Sequence, residues 1–180
     1  GVSGYFGGVV DNIMMRIVEV VNGIPYLIVV ILLMMVLPKG TFTMVVAYAT
    51  VGWTGMARLV RGQALALKNQ EFVPAAEAMG AKPARIIARH LLPNALSVII
   101  INVTLAVPSA IFTEAFLSYI GMGVPVPQPS WGMLAQEGAL VFQVYPDKLL
   151  IPAIAISLTM LSFNLLGDGL RDAFDPRLRR

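Results

Sequence analysis

Cysteine is absent from the 180 residues, histidine occurs once, and charged residues make up 13%. The lack of cysteine excludes disulfides and thiolate chemistry, whether redox or metal-binding. The scarcity of charge excludes an ordinary soluble domain, in which about a quarter of the residues are charged. The phosphate-cradling pattern G-x-x-x-x-G-K-[ST] is missing as well, so the chain is not expected to bind ATP itself. No catalytic constellation can be assembled from what remains. His90 lies on a basic segment close to Pro93 and is not read as a metal ligand. The expectation is therefore a chain with no catalytic, cofactor-binding or metal residues, its 10 methionines serving as apolar filler.

What is abundant is apolar surface. Apolar residues reach 57% and the mean hydropathy is +0.78. A helix needs about 20 mostly apolar residues to cross a bilayer. Four stretches qualify, near 17–37, 42–60, 95–112 and 149–166. Each ends on punctuation: Pro38-Lys39-Gly40, Arg58 and Arg61, Pro93-Asn94 (before the third), and Gly167-Asp168-Gly169. The fold class predicted is all-α, a polytopic transmembrane helical bundle with about four spans. The opening GVSGYFGG reads as the continuation of something already under way, so an N-terminal part is expected to precede Gly1. Gly4 and Gly8 have the spacing of close helix packing, or form a glycine-rich turn.

Lysine and arginine mark the cytoplasmic side of a membrane protein. Lys39 and Lys148 stand alone in the first connection and in the 114–148 segment. The other eleven, Arg16, Arg58, Arg61, Lys68, Lys82, Arg85, Arg89, Arg171, Arg177, Arg179 and Arg180, fall on the opposite side. The basic balance thus reports topology rather than nucleic-acid binding: 61–93 is expected inside and 114–148 outside. The external segment is rich in glycine and proline, with Pro125, Pro127 and Pro129 stiffening an extended loop and Tyr119, Trp131 and Tyr145 as interfacial aromatics.

A connection as long as 61–93 normally carries structure of its own. One short helix is predicted over 71–79, with Pro74 in its first turn and Gly80 placed to end it. A second opens at Pro83 and runs to about residue 92, with Arg85 and Arg89 on one face and Ile86, Ile87 and Leu91 on others. Such a pair lies on headgroups, caps the bundle or docks a partner.

The stretch PAAEAMGAKPARIIARHLLPN resembles the cytoplasmic signature of binding-protein-dependent ABC importer permeases. That signature runs Glu-Ala-Ala, three residues, Gly, nine residues, then Ile-x-Leu-Pro. Ala75, Ala76, Gly80, Leu92 and Pro93 stand in register, while Pro74 replaces the glutamate and His90 the isoleucine. RHLLPN, GYFGG, LSYIGMGVPVPQPSWGMLAQEG and FNLLGDGLRDAFDPRLR are similar to the C-type subunit of the oligopeptide/dipeptide branch, which nickel importers share. The resemblance covers nearly all of residues 1–180.

It implies a type I importer permease without enzymatic activity of its own, multi-pass in the bacterial inner membrane. Implied partners are a homologous second permease, two cytoplasmic ATPase subunits that bind the ATP, an external solute-binding protein and a peptide substrate. It also implies that 61–93 couples to the ATPases through Ala75, Ala76, Gly80, Leu92 and Pro93. Pro74 removes the signature carboxylate, and either Glu71 or Glu77 stands in for it or both are simply solvated. Nickel or another small solute remains the rival cargo; a secondary transporter or a membrane anchor are the rival classes.

Polar residues inside spans usually face a cavity or another helix. Asn102 and Ser109 are seven apart, as are Ser157 and Asn164, so each pair lies near one helical face. They line a translocation path or bond helices together. Asp168, Arg171 and Asp172 are placed to pair locally after the last span.

Overall fold

The computed structural model describes residues 1–38, 40–123 and 129–174. Lys39, Pro125, Pro127, Arg177, Arg179 and Arg180 lie outside the described residues. The described residues form helices and no strand. In chain order these are α1 (Val2–Phe6), α2 (Gly8–Asn22), α3 (Tyr26–Val36), α4 (Thr41–Lys68), α5 (Phe72–Ala78), α6 (Pro83–Ile86), a π-turn (Ile87–Leu91), α7 (Leu92–Tyr119), α8 (Trp131–Leu140) and α9 (Asp147–Phe174). Two compact units result, one from Gly1–Pro25 and Val51–Ile100, the other from Tyr26–Thr50 and residue 101 onward.

The all-α expectation holds, but the four spans need revision. Among the described residues two helices are long and apolar enough to cross a membrane, Pro83–Tyr119 with 37 residues and α9 with 28. The stretch expected near 17–37 is broken: α2 and α3 meet at 74° and pass the same test only as a pair. The break has a local cause. Pro25 lacks an N–H and disfavours the helical conformation at Ile24, while Gly23 closes α2 with its N–H on the Glu19 carbonyl at 2.8 Å. The second stretch lies within α4, which has the length to span but carries Arg58, Arg61 and Lys68 in its later turns.

The predicted boundaries at Pro93-Asn94 and Gly167-Asp168-Gly169 do not end helices. The first sits inside the continuous 83–119 helix. At the second, a Cβ on Gly167 would lie 2.4 Å from Leu105 Cδ2. That glycine permits close approach of α9 to α7 instead of terminating it. No ion pair among the described residues joins Asp168, Arg171 or Asp172.

The expected extended loop is also partly helical. α7 runs on to Tyr119, and α8 is capped by Ser130, whose hydroxyl accepts the Met133 N–H at 3.2 Å. α8 packs on the start of α9, where a Cβ on Gly138 would meet the Lys148 carbonyl at 2.4 Å. Tyr119, Trp131 and Tyr145 are all exposed, as interfacial anchors would be. The core of this unit gathers Val30, Met34, Met44, Ala47 and Leu117. Tyr48 packs against it with its hydroxyl buried and unpartnered among the described residues.

Candidate functional site

The 61–93 segment folds as two helical pieces joined by a tight turn. α5 ends on a Schellman motif: the Ala81 N–H reaches the Ala76 carbonyl at 3.0 Å and the Gly80 N–H the Glu77 carbonyl at 2.9 Å. Gly80 takes φ +79, the left-handed conformation such a turn requires. Ala76 and Ala81 meet in the same apolar cluster, the contact that normally accompanies the motif. Lys82 is then extended, and Pro83 opens α6 at its first position, where a missing N–H costs nothing.

The second predicted helix does not stop near residue 92. It runs through a π-turn into α7. Pro93 has no N–H to offer and its ring crowds the carbonyl four residues back. In the wider turn the Leu92 N–H bonds the Ile87 carbonyl five residues back. The Asn94 side chain donates to the His90 carbonyl at 2.7 Å. The extra residue also brings Ile86 and Leu91, five apart, into one buried cluster at 0% and 2% exposure.

That cluster contains Tyr5, Ala64, Val73, Ala76, Ile86 and Leu91. Tyr5 was not singled out by sequence; nothing in its local pattern marks a residue 72 positions from its partner. Its hydroxyl donates to Glu77 Oε1 at 2.8 Å, and the Lys68 ammonium sits 5.5 Å from its ring centroid. The Glu77 carboxylate, and then burial, push the Tyr5 hydroxyl pKa up. Gly4 serves close packing: a Cβ there would stand 2.7 Å from Ala64 Cβ and 2.9 Å from the Arg61 carbonyl. Gly7 and Gly8, with φ +65 and +52, make the turn. Each of the two readings of the glycine-rich opening is thus met by different glycines.

A second clamp joins α2 to α4. Arg61 grips Asp11 with both Nε and Nη2, the former at 2.5 Å, and the Ser3 hydroxyl donates to the same carboxylate. Asn22 accepts from Thr54 Oγ1 at 3.3 Å and from Arg58 at 3.4 Å.

The sequence-predicted coupling residues are not equivalent. Ala76 is buried, whereas Ala75 is exposed on the same short helix. Glu77 is engaged by Tyr5; Glu71, at the N-cap, is exposed and makes no capping bond. Leu92 is 47% exposed and Pro93 is exposed, while Leu91 takes the core position. Gly80 and Ala76 join Met79, Ala81, Arg85, Arg89 and His90 around a groove of about 420 Å³. His90 stacks on Phe72 with ring centroids 6.2 Å apart.

Of the four path residues, Asn102, Ser109 and Asn164 do not line the hollow that Ser157 lines. Ser157 opens on a largely apolar hollow of about 410 Å³ lined by Phe112, Phe116, Tyr119, Ala135 and Met160, among others. Its hydroxyl is spent on the Ala153 carbonyl of its own helix at 2.8 Å. Ser109 and Asn164 are exposed and Asn102 half-buried.

A family model described as "Binding-protein-dependent transport system inner membrane component" matches residues 1–180. The oligopeptide transport system permease protein OppC of Bacillus subtilis is 54% identical over 99% of this chain and 59% of its own length. The dipeptide transport system permease protein DppC of the same organism is 54% identical over 100% of the chain and 57% of its length. OppC of Escherichia coli is 45% identical over 96% of the chain and 57% of its length. The chain therefore spans somewhat less than three-fifths of these relatives. The match over residues 1–180, which includes the signature segment, makes this chain a member of the binding-protein-dependent transport system inner membrane component family.

Proposed function

We propose that the chain is a membrane-spanning part of a permease subunit in an ATP-driven, binding-protein-dependent importer of dipeptides or oligopeptides. It forms half of the translocation path beside a homologous second permease and receives solute from an external binding protein. Residues 61–93 face the cytoplasm and couple the path to ATPase subunits; residues 114–148 face outward. Asn102, Ser109, Ser157 and Asn164 contribute polar groups to the path. The peptide cargo follows the functions named for the relatives, and the fold of residues 61–93 supports the coupling role.

The single observation that supports coupling most is the surface of the α5–α6 turn. Its inner side is cemented by Tyr5, Val73, Ile86 and Leu91, while Ala75 and Ala78 are exposed and Met79 is 82% exposed. A small, rigid turn that offers an apolar outer side suits insertion into a partner. The test is to co-express the full-length permease with its genetic neighbours, purify it, and assay uptake of labelled peptides. Retention of ATPase subunits and a second permease, with ATP-dependent peptide uptake, is expected. A purified permease that transports without any ATPase would overturn the reading.

A further inference from the structure

α2 carries three different faces. At about 100° per residue, Val9, Val20, Ile13, Ile17, Val10 and Met14 fall in that order across an arc of about 140°, and every one is exposed. Asn12, Arg16 and Glu19 form an adjoining stripe about 60° wide, also exposed, with Arg16 and Glu19 paired at 3.0 Å. Val18 and Asp11 occupy the remaining side and are buried, Asp11 in the grip of Arg61.

Helices that pack on one another in a bilayer meet through Gly, Ala, Ser and Thr, because lipid tails are as apolar as leucine and close approach is what association gains. The exposed arc has none of the four; it is Val, Ile and Met throughout. That composition suits acyl chains rather than another helix. The polar stripe fixes the orientation. Asn12, Arg16 and Glu19 share their stretch of helix with Ile13, Ile17 and Val20, so no cut across the axis separates polar from apolar, whereas a plane along it does. Only a boundary between water and hydrocarbon that runs parallel to the helix satisfies both sides. The contacts with α4 agree. Asp11 meets Arg61, and Asn22 meets Thr54 and Arg58. About 16 Å along α2 is thus matched by only about 5–10 Å along α4, at 1.5 Å per residue. α2 crosses α4 obliquely instead of running alongside it.

We propose that α2 lies in the plane of the membrane interface, with its Val, Ile and Met arc seated among acyl chains and Asn12, Arg16 and Glu19 among the headgroups. Arg61 holds the inner side of α2 through Asp11, and Tyr5 of the preceding α1 holds Glu77 at 2.8 Å. The lipid contact therefore also anchors the 61–93 segment to the membrane surface.

Residues 1–180 lack cysteine. With any cysteine elsewhere in the full-length permease changed to serine, single nitroxide labels can be attached, and the protein purified with the subunits it retains and placed in phosphatidylcholine vesicles. Labels on Ile13→Cys, Ile17→Cys and Val20→Cys should collide with oxygen in preference to a water-soluble nickel chelate. They should also share one depth, about 5–10 Å into the headgroup and acyl boundary. Labels on Asn12→Cys, Arg16→Cys and Glu19→Cys should show the reverse preference. Val10→Cys and Met14→Cys lie on the same arc and replace any apolar-side variant that fails to assemble. A depth that changes steadily by about 1.5 Å per residue from 13 to 20 would make α2 part of a span and overturn the inference. Labels at 13, 17 and 20 that are immobilised and shielded from both probes would overturn it too, assigning the arc to a protein contact.

Discussion

Gly80 shows how one residue's backbone freedom supports a partner surface. No atom lies within 4 Å of where its Cβ would be, so crowding is not what requires glycine there. The requirement is φ +79, which a β-branched residue adopts at a cost on the order of 1–3 kcal/mol. Gly80→Val should therefore abolish uptake while permease abundance stays near normal, since the strained turn lies outside the apolar stretches. Uptake and immunoblotting in parallel check this; normal uptake refutes the role, and loss of the protein assigns Gly80 to folding. Tyr5 works through its hydroxyl as well as its ring. Tyr5→Phe keeps the ring in the Ala64–Val73–Ile86 cluster and removes the bond to Glu77, for a loss of about 1 kcal/mol. Tyr5→Ala empties the site and should cost about 3–5 kcal/mol. Thermal unfolding of the purified full-length protein in detergent should rank the two in that order.

At the scale of elements, the π-turn at 87–91 determines which leucine is structural. An unbroken α-helix from Pro83 would not put residues 86 and 91 on one side, because five residues exceed a 3.6-residue turn by about 140°. The wider turn does so, and Leu91 is 2% exposed against 47% for Leu92. Leu91→Ala should destabilise the chain by about 2–5 kcal/mol, while Leu92→Ala stays within about 0.5 kcal/mol. Melting curves of the two variants separate them; equal losses would mean an unbroken α-helix, in which residues 91 and 92 lie about 140° and 120° to either side of Ile86. α2 and α3 make the complementary point. The sequence reads as one apolar run broken only by Glu19 and Asn22, yet those polar residues belong to a distinct helix that turns away at Gly23–Pro25. Pro25 was visible in the sequence. Its consequence was not, because the apolar residues on both sides satisfy the same hydropathy window.

For the molecule as a whole, the charge bias predicts which segments face which side. Because the chain has no cysteine, single cysteines at Lys82 and Glu137 report without background. Both positions are exposed, at the start of α6 and on α8. In intact cells an impermeant maleimide should label Glu137→Cys, and should reach Lys82→Cys only after lysis. Labelling in the opposite pattern would invert the topology and leave the α5–α6 turn on the wrong side of the membrane for an ATPase.

Composition and the apolar runs by themselves marked a helical membrane chain, and the spacing within 74–93 carried the resemblance to the family whose model matches residues 1–180. Those properties are sums over residues or fixed intervals along the chain, and no contact is needed to read them. The turn at Gly80 was legible for a similar reason, since a local backbone conformation selects glycine. The tertiary structure decided which residues of the segment point in and which point out. Ala76 and Ala75 are indistinguishable in sequence, but Ala76 is buried in the cluster that Tyr5 joins and Ala75 is exposed. Glu77 and Glu71 were equal candidates until the Tyr5 hydroxyl was found on Glu77. The Asp11–Arg61 clamp spans 50 positions, and no local pattern encodes a pairing of that length. Such contacts exist only once helices distant in sequence have packed, which is why they escaped a reading made residue by residue.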